Sequence, residues 1–274
     1  MPAAMVPQRR TLLLLPLLLA LAGCPKRVVD YGKDGAPTSA EDLLRRINYA
    51  EAQIYSLKGD GRLGVDTPQG KGSVTLFVAV THPALIHIEQ LDFFGRPQGV
   101  LVTDGTSFGL YNSEDGKYYR GPATPANLGR FLPIVLPPAE LAAVMLGRAP
   151  RVPDGALSMR FDDQQQLFEL IITRGQVKQT LLVQPPSYRV VKSTAENVAA
   201  YDLAFANIVT EGAATLPKQV LLDAKSAKTS IELVWKEVEI NGAPDLTLFD
   251  LEPPEGVPVV EVDASGKPRE PAPQ

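Results

Sequence analysis

Thirteen short segments, alternating in polarity or running β-branched and separated by turn residues, constrain the fold of this chain more than any other feature. The first set is Ile54–Val65, Lys71–Val80, Ala84–Leu91, Gly99–Thr103, Ser107–Tyr111 and Lys117–Arg120, with Asp104-Gly105 and Asp115-Gly116 as turns. The second set is Ala156–Phe161, Gln166–Thr173, Gln176–Gln184, Tyr188–Ser193, Ala200–Ile208, Gln219–Ala224 and Ser230–Ile240. The short gaps favour hairpins, because antiparallel neighbours need only a turn while parallel ones need a long crossover.

Helical patterns are few. Thr38 and Ser39 offer caps, Glu41 and Asp42 follow, and Leu43, Leu44, Ile47 and Ile54 recur near helical spacing, which predicts one amphipathic helix. Between the two β sets, Pro137-Pro138 opens a second helix with Leu141, Val144, Met145 and Leu146, and Gly147 ends it. Leu128, Phe131, Leu132, Ile134 and Val135 precede it. Leu128–Leu146 therefore reads as a lid on the concave face of a curved sheet. Two helices cannot cover both faces of a long sheet, and curling around them solves the shortage. The predicted class is α+β: a curved, mainly antiparallel β half-barrel of about 11 strands with helices over its concave face. The space between sheet and lid suits an acyl chain, and it equally suits complete filling by Leu, Val and Phe.

The N-terminus reads as an export signal. Arg9-Arg10 precede an uncharged, leucine-dominated run, Thr11 to Leu21. That run is shorter than the roughly 20 residues of a spanning helix. Leu21-Ala22-Gly23-Cys24 resembles a bacterial lipobox. The resemblance implies a signal peptide over 1–23, cleavage before Cys24 and lipid on its thiol. Cys24 is the only cysteine, so no internal disulfide forms. Pro25 is not the aspartate of an inner-membrane retention signal. This points to the periplasmic face of the outer membrane. Residues 24–37 read as a lipidated flexible tether, 38–257 as the half-barrel domain, and 258–274, rich in proline, as a disordered tail.

The formal charge is −4 and becomes −6 without residues 1–23, and no basic cluster suggests nucleic acid. Catalysis finds no support. His82 and His87 are the only histidines, and five apart on a regular strand they would face opposite ways. No nucleophile elbow, phosphate-binding glycine loop or His-Glu-x-x-His occurs. No metal site or cofactor is expected beyond the covalent lipid on Cys24 and an acyl chain as ligand.

Several stretches together resemble the LolA/LolB superfamily, and most of all the LolB-type outer-membrane lipoprotein receptor. They are Leu57-Lys58-Gly59-Asp60-Gly61-Arg62-Leu63, then Leu91-Asp92-Phe93-Phe94-Gly95 with Val100-Leu101-Val102. Leu136-Pro137-Pro138-Ala139-Glu140-Leu141 through Leu146-Gly147-Arg148-Ala149-Pro150 and Leu248-Phe249-Asp250-Leu251 before Pro253 complete the set. The resemblance implies an open half-barrel that receives acyl chains of other lipoproteins from a LolA-type periplasmic carrier and helps insert them into the outer membrane. It also implies a membrane-inserting loop at Phe93 and Phe94. These rings either dip into the interface with Arg96 at the headgroups or fold inward over the core.

Alternating strand positions and the lid nominate Leu63, Val65, Leu76, Val78, Ile86, Ile88, Leu101, Leu132, Leu141, Met145 and Trp235 for the acyl cavity. Each also reads as ordinary core. The alternative is a structural or sensor lipoprotein of the same fold that binds a lipid or an envelope protein without transfer. No feature sets an oligomeric state, and a monomer is the simplest reading.

Overall fold

The computed structural model describes residues 28–132, 135–197, 201–212, 214–243 and 245–269. The expected signal peptide and Cys24 lie outside the described residues, as does Ile134 of the expected lid. Among the described residues the chain runs α1 (Ala40–Ala52), β1 (Ser56–Thr67), β2 (Gly70–Thr81), β3 (Leu85–Leu91), β4 (Pro97–Thr103), β5 (Ser107–Asn112) and β6 (Lys117–Pro122). Two helices follow, α2 (Pro125–Leu128) and α3 (Pro138–Met145). Then come β7 (Ala156–Asp162), β8 (Leu167–Arg174), β9 (Val177–Gln184), β10 (Arg189–Glu196), β11 (Asp202–Glu211), β12 (Ala214–Ala224), β13 (Thr229–Ile240) and β14 (Val259–Glu261).

All fourteen strands belong to one curved sheet, in the order β14-β6-β5-β4-β3-β2-β1-β13-β12-β11-β10-β9-β8-β7. Two meanders, β1 to β6 and β7 to β13, meet along the antiparallel pair β1–β13. The strand count exceeds the expected 11 because every alternating segment pairs and a fourteenth strand adds to one edge. Class and curvature agree with the sequence reading.

Ser39 caps α1 by accepting from the Asp42 N–H at 3.1 Å. Its apolar side, Leu43 and Ile47, is buried on the β7–β10 half of the sheet, while α3 packs on β2 and β3. One continuous core results, from Leu57, Leu76 and Ile88 on one side to Leu170, Leu181 and Val190 on the other.

The outer face of the β3–β6 half is also covered, by the chain after β13. The 3-10 turn Leu246–Phe249 lies against β3 and β4, where the Leu248 carbonyl faces His87 Nδ1 at 2.6 Å. Tyr118 Oη donates to the Leu251 carbonyl at 2.7 Å. β14 then pairs with β6 in parallel, and Val262 is fully buried beside Gly121. The tail expected to be disordered from 258 is therefore structured through Arg269. Prolines space its ends, but Val259, Val260 and Val262 find a strand edge and a pocket. Val262→Ala is expected to cost about 1–3 kcal/mol in a reversible thermal melt; an unchanged melt would show that the tail is not part of the fold.

The tether is likewise shorter than expected. Tyr31 lies edge-on to Phe161 and tilted against Phe168, both at 5.8 Å between centroids. Tyr188 Oη donates to the Tyr31 carbonyl at 2.7 Å, and Arg46 Nη1 donates to the Gly35 carbonyl at 2.6 Å. An aromatic residue next to an apolar sheet corner docks whatever its neighbours' composition suggests.

Candidate functional site

An apolar gap of about 30 Å³ lies under α3. Leu63 and Leu76 reach it from β1 and β2, and Val220, Leu222, Ile231 and Leu233 from β12 and β13. Leu132, Leu141, Val144 and Met145 close it from the lid side. The gap has about the volume of one water molecule and no polar group to hold one. Among the described residues the space under α3 is nearly filled.

Five of the nominated cavity residues, Leu63, Leu76, Leu132, Leu141 and Met145, come together here. Val78, Ile86, Ile88 and Leu101 are fully buried in the core but do not line the gap. Trp235 lies over Gly61, where an added Cβ would approach its ring to 3.2 Å. Val65 is half-buried near the end of β1, away from the gap. Val144, Val220, Leu222, Ile231 and Leu233 were not nominated. Val144 lies on the lid helix itself; alternation marks the other four as inner-face residues, and only the order of strands brings them under the lid.

Polar ties hold the lid. Arg189, at the start of β10, is 1% exposed. Its guanidinium donates to the Gly147 carbonyl at 2.6 Å, to that of Leu146 at 3.5 Å and to that of Ala50 at 3.2 Å. One cation thus serves the C-terminal ends of both α1 and α3, where carbonyls lack helical partners. Arg148 reaches the Ile54 carbonyl at 2.5 Å, and Arg151 pairs with buried Glu51 at 2.9 Å. Burial pulls Arg189 down to about 10, against the opposing pull of Glu51. At the other end of α3, Tyr201 Oη donates to Glu140 at 3.2 Å, and burial first, then that carboxylate, raises the phenol pKa. Sequence reading missed this framework, because an isolated arginine in a β segment carries no local sign of burial.

The β3–β4 tip is a built turn. Asp92 Oδ1 accepts from the Phe94 N–H at 2.8 Å and the Arg96 N–H at 2.9 Å, and the Arg96 guanidinium pairs with Asp92 at 2.7 Å. The Arg96 backbone N–H, then its side chain, hold the Asp92 carboxyl below its ordinary value. Gly95 takes the left-handed conformation (φ +76°) that the turn requires. The rings point outward, with Phe93 96% and Phe94 77% exposed and their centroids 5.5 Å apart. Arg96 stands over the Phe94 ring at 5.3 Å.

The two histidines do not meet. His82 Nδ1 faces Arg148 at 3.2 Å in the β2–β3 turn, and His87 faces Leu248 and Glu89. A larger groove of about 1010 Å³ crosses the opposite face of the sheet. Arg62, Lys71, Lys192 and Lys236 share it with Asp66, Asp202, Asp223 and Glu232. Val65, Leu203, Leu221, Leu222, Ile231 and Val234 supply the apolar part of its lining, so an acyl chain there would lie along apolar side chains bordered by ionised ones. Among the described residues no helix is long and apolar enough to cross a membrane.

The class of fold follows from this geometry: one curved, mainly antiparallel sheet with a short helical lid, and solved structures share it. The chain is similar to the LolA superfamily protein of Nitrosomonas europaea, with TM-score 0.53 and 13% identity over 77% of this chain and 97% of that one. It is also similar to a putative outer membrane lipoprotein-sorting protein domain from Vibrio parahaemolyticus, with TM-score 0.54 and 11% identity over 76% and 97%. A DUF1329 family protein from Desulfovibrio piger gives TM-score 0.54 and 10% identity over 81% and 98%. At such identities the likeness is one of fold, and it does not single out the LolB type. No protein-family model matches the sequence, and no curated protein matches it.

Proposed function

We propose that this chain is an envelope lipoprotein, anchored through Cys24 at the periplasmic face of the outer membrane, that binds acyl chains of other lipoproteins and helps deliver them to that membrane. The supporting observation is the apolar gap under α3, lined on every side by aliphatic side chains, in a fold shared with a lipoprotein-sorting domain. A gap of 30 Å³ is far too small for a fatty chain, so binding requires α3 to lift. Leu141, Val144 and Met145 would then expose a continuous greasy floor, and the acyl chain would replace them there. Transfer needs no covalent chemistry; burial of acyl surface at about 25 cal/mol per Å² supplies the drive. The partners in this reading are a LolA-type carrier, its lipoprotein cargo and the membrane, and the LolB-like role rests on the exposed Phe93-Phe94 tip.

The nearly filled interior favours a second reading, a structural or sensor lipoprotein that transfers nothing. One experiment separates the two. Protein lacking residues 1–24 is mixed with a LolA-type carrier loaded with radiolabelled lipoprotein. Movement of label onto this chain is the expected result. Label that stays on the carrier, with no acyl species found on the chain by mass spectrometry, would leave only the second reading.

Phe94→Glu tests the tip. Burying a phenyl ring in the interface is worth about 1.5–3 kcal/mol, so delivery into liposomes should fall roughly ten- to hundredfold while acyl binding and the melting temperature hold. An unchanged delivery rate would remove the tip from the mechanism.

A further inference from the structure

We propose that the outer side of α1, together with the docked strap Tyr31–Gly35 and the β9–β10 turn, lies on the phospholipid headgroups of the membrane that holds the anchor. This rests on the reading of Cys24 as lipidated, and it describes the orientation at rest. The β3–β4 tip leaves the opposite ends of the strands from the β9–β10 turn, so delivery through Phe93 and Phe94 follows release of the strap. With Tyr31 set against Phe161 and Phe168, and the carbonyls of Tyr31, Asp34 and Gly35 taken up by Tyr188 and Arg46, the strap belongs to the body. Only seven residues, 24–30, then separate the anchor from the strap, and seven residues span at most about 25 Å whatever their conformation. A tether running to Pro37 would reach nearly twice as far and leave the body free to turn. A leash of seven residues rooted at Tyr31 holds the surface around that root within reach of the headgroups.

The chemistry of that surface agrees. The strap borders a cleft of about 630 Å³ between α1 and the β9–β10 turn, and Lys33, Arg45, Arg46, Tyr49 and Tyr188 line it together with one carboxylate, Asp34. The Arg45 side chain is 76% exposed and Tyr49 72% exposed, and Tyr55 also faces solvent just beyond the helix. Tyrosine is the residue of membrane–water interfaces, and long cationic side chains lay their stems along lipid while the charge meets phosphate. Asp42, the carboxylate nearest Arg45, is already paired with Arg45 and Arg46 and buried. Lys26 and Arg27 add two further cations to the leash itself. The occupant of the cleft is therefore a phospholipid headgroup, with its phosphate between Lys33 and Arg45.

Acylation of Cys24 leaves no free thiol, so a single new cysteine takes a fluorophore without ambiguity. Full-length lipidated protein is placed in vesicles of phosphatidylethanolamine and phosphatidylglycerol that contain a lipid with a nitroxide on its headgroup. Labels at Tyr49→Cys and, on the opposite face of the sheet, at Lys192→Cys are compared. Quenching severalfold stronger at position 49 is expected. Tyr31→Ala, or the milder Tyr188→Phe, should release the strap and bring quenching at 49 down towards that at 192, while the protein still floats with the vesicles and keeps its circular dichroism spectrum. Equal quenching at the two positions, or no response to strap release, would overturn the proposed orientation but not the anchor. A protein that does not float with the vesicles would overturn the anchor reading and the orientation together.

Discussion

Arg189→Met is expected to lower the free energy of unfolding by about 3–5 kcal/mol, the range for breaking a buried charged network. The methionine fills much the same space but donates nothing. The carbonyls of Ala50, Leu146 and Gly147 each lose a donor, and buried Glu51 loses one of the cations around it. Each orphaned acceptor adds its own desolvation cost. Arg189→Lys keeps the charge but cannot span two helix ends, so its loss should fall between the two. Denaturant unfolding curves measure both. The effect should not vary between pH 5.5 and 8. Burial lowers the Arg189 pKa to about 10, still far above that window, so the residue is charged in folded and unfolded chains alike. Only between about 10 and its ordinary 12.5 does the unfolded chain hold the proton more tightly, and there stability contributed by this group rises with pH. A loss under 1 kcal/mol, or one that changes across pH 5.5–8, would show that Arg189 does not tie the two helices.

Gly59→Ala should be nearly as damaging, at about 3 kcal/mol, or roughly 6–12 °C in melting temperature for a domain of this size. Gly59 pairs with Val238 and Gly61 with Trp235, so Lys236 and Glu237 both stand opposite Asp60. This bulge in β13 brings the Glu237 carbonyl against Gly59. A Cβ there would collide with that oxygen and sit 2.8 Å from the Val238 Cα. Both are backbone atoms, so relief requires parting β1 from β13, the seam between the two meanders. Gly72→Ala in β2 is the control: its Cβ would meet nothing within 4 Å, and the change should stay within about 0.5 kcal/mol. Equal melting temperatures for the two variants would sink the account of the seam.

Lys-Gly-x-Gly at 58–61 was visible as part of a strand, but its reason was not. Spacing placed the residues in a strand, and the reason lies in a bulge about 180 residues away in sequence. The same division runs through the fold. The Ser39 cap and the hairpin turns Asp104-Gly105 and Asp115-Gly116 depend on neighbours a few residues apart, so they were legible. β14 was not, because its hydrogen bonds go to β6 across a long separation and its proline-rich setting reads as disorder. The candidate site divides likewise. Alternation put Leu63, Leu76, Val78 and Ile88 on the inner face alike, and only the lid's position decided that the first two line the gap. Phe93 and Phe94 were legible as a tip, while their outward direction came from the Asp92 turn beneath them.

By itself the sequence determined a β-rich chain of hairpins with two main helices, an inner face of aliphatic residues and an aromatic loop, since each of these follows from periodicity and short-range turn chemistry. The tertiary structure alone decided how the two meanders join, how little space remains under the lid, that one buried arginine serves both helix ends, and that the strap and tail dock. These depend on contacts between residues far apart along the chain, and no local pattern encodes which of many equivalent apolar or charged positions will meet.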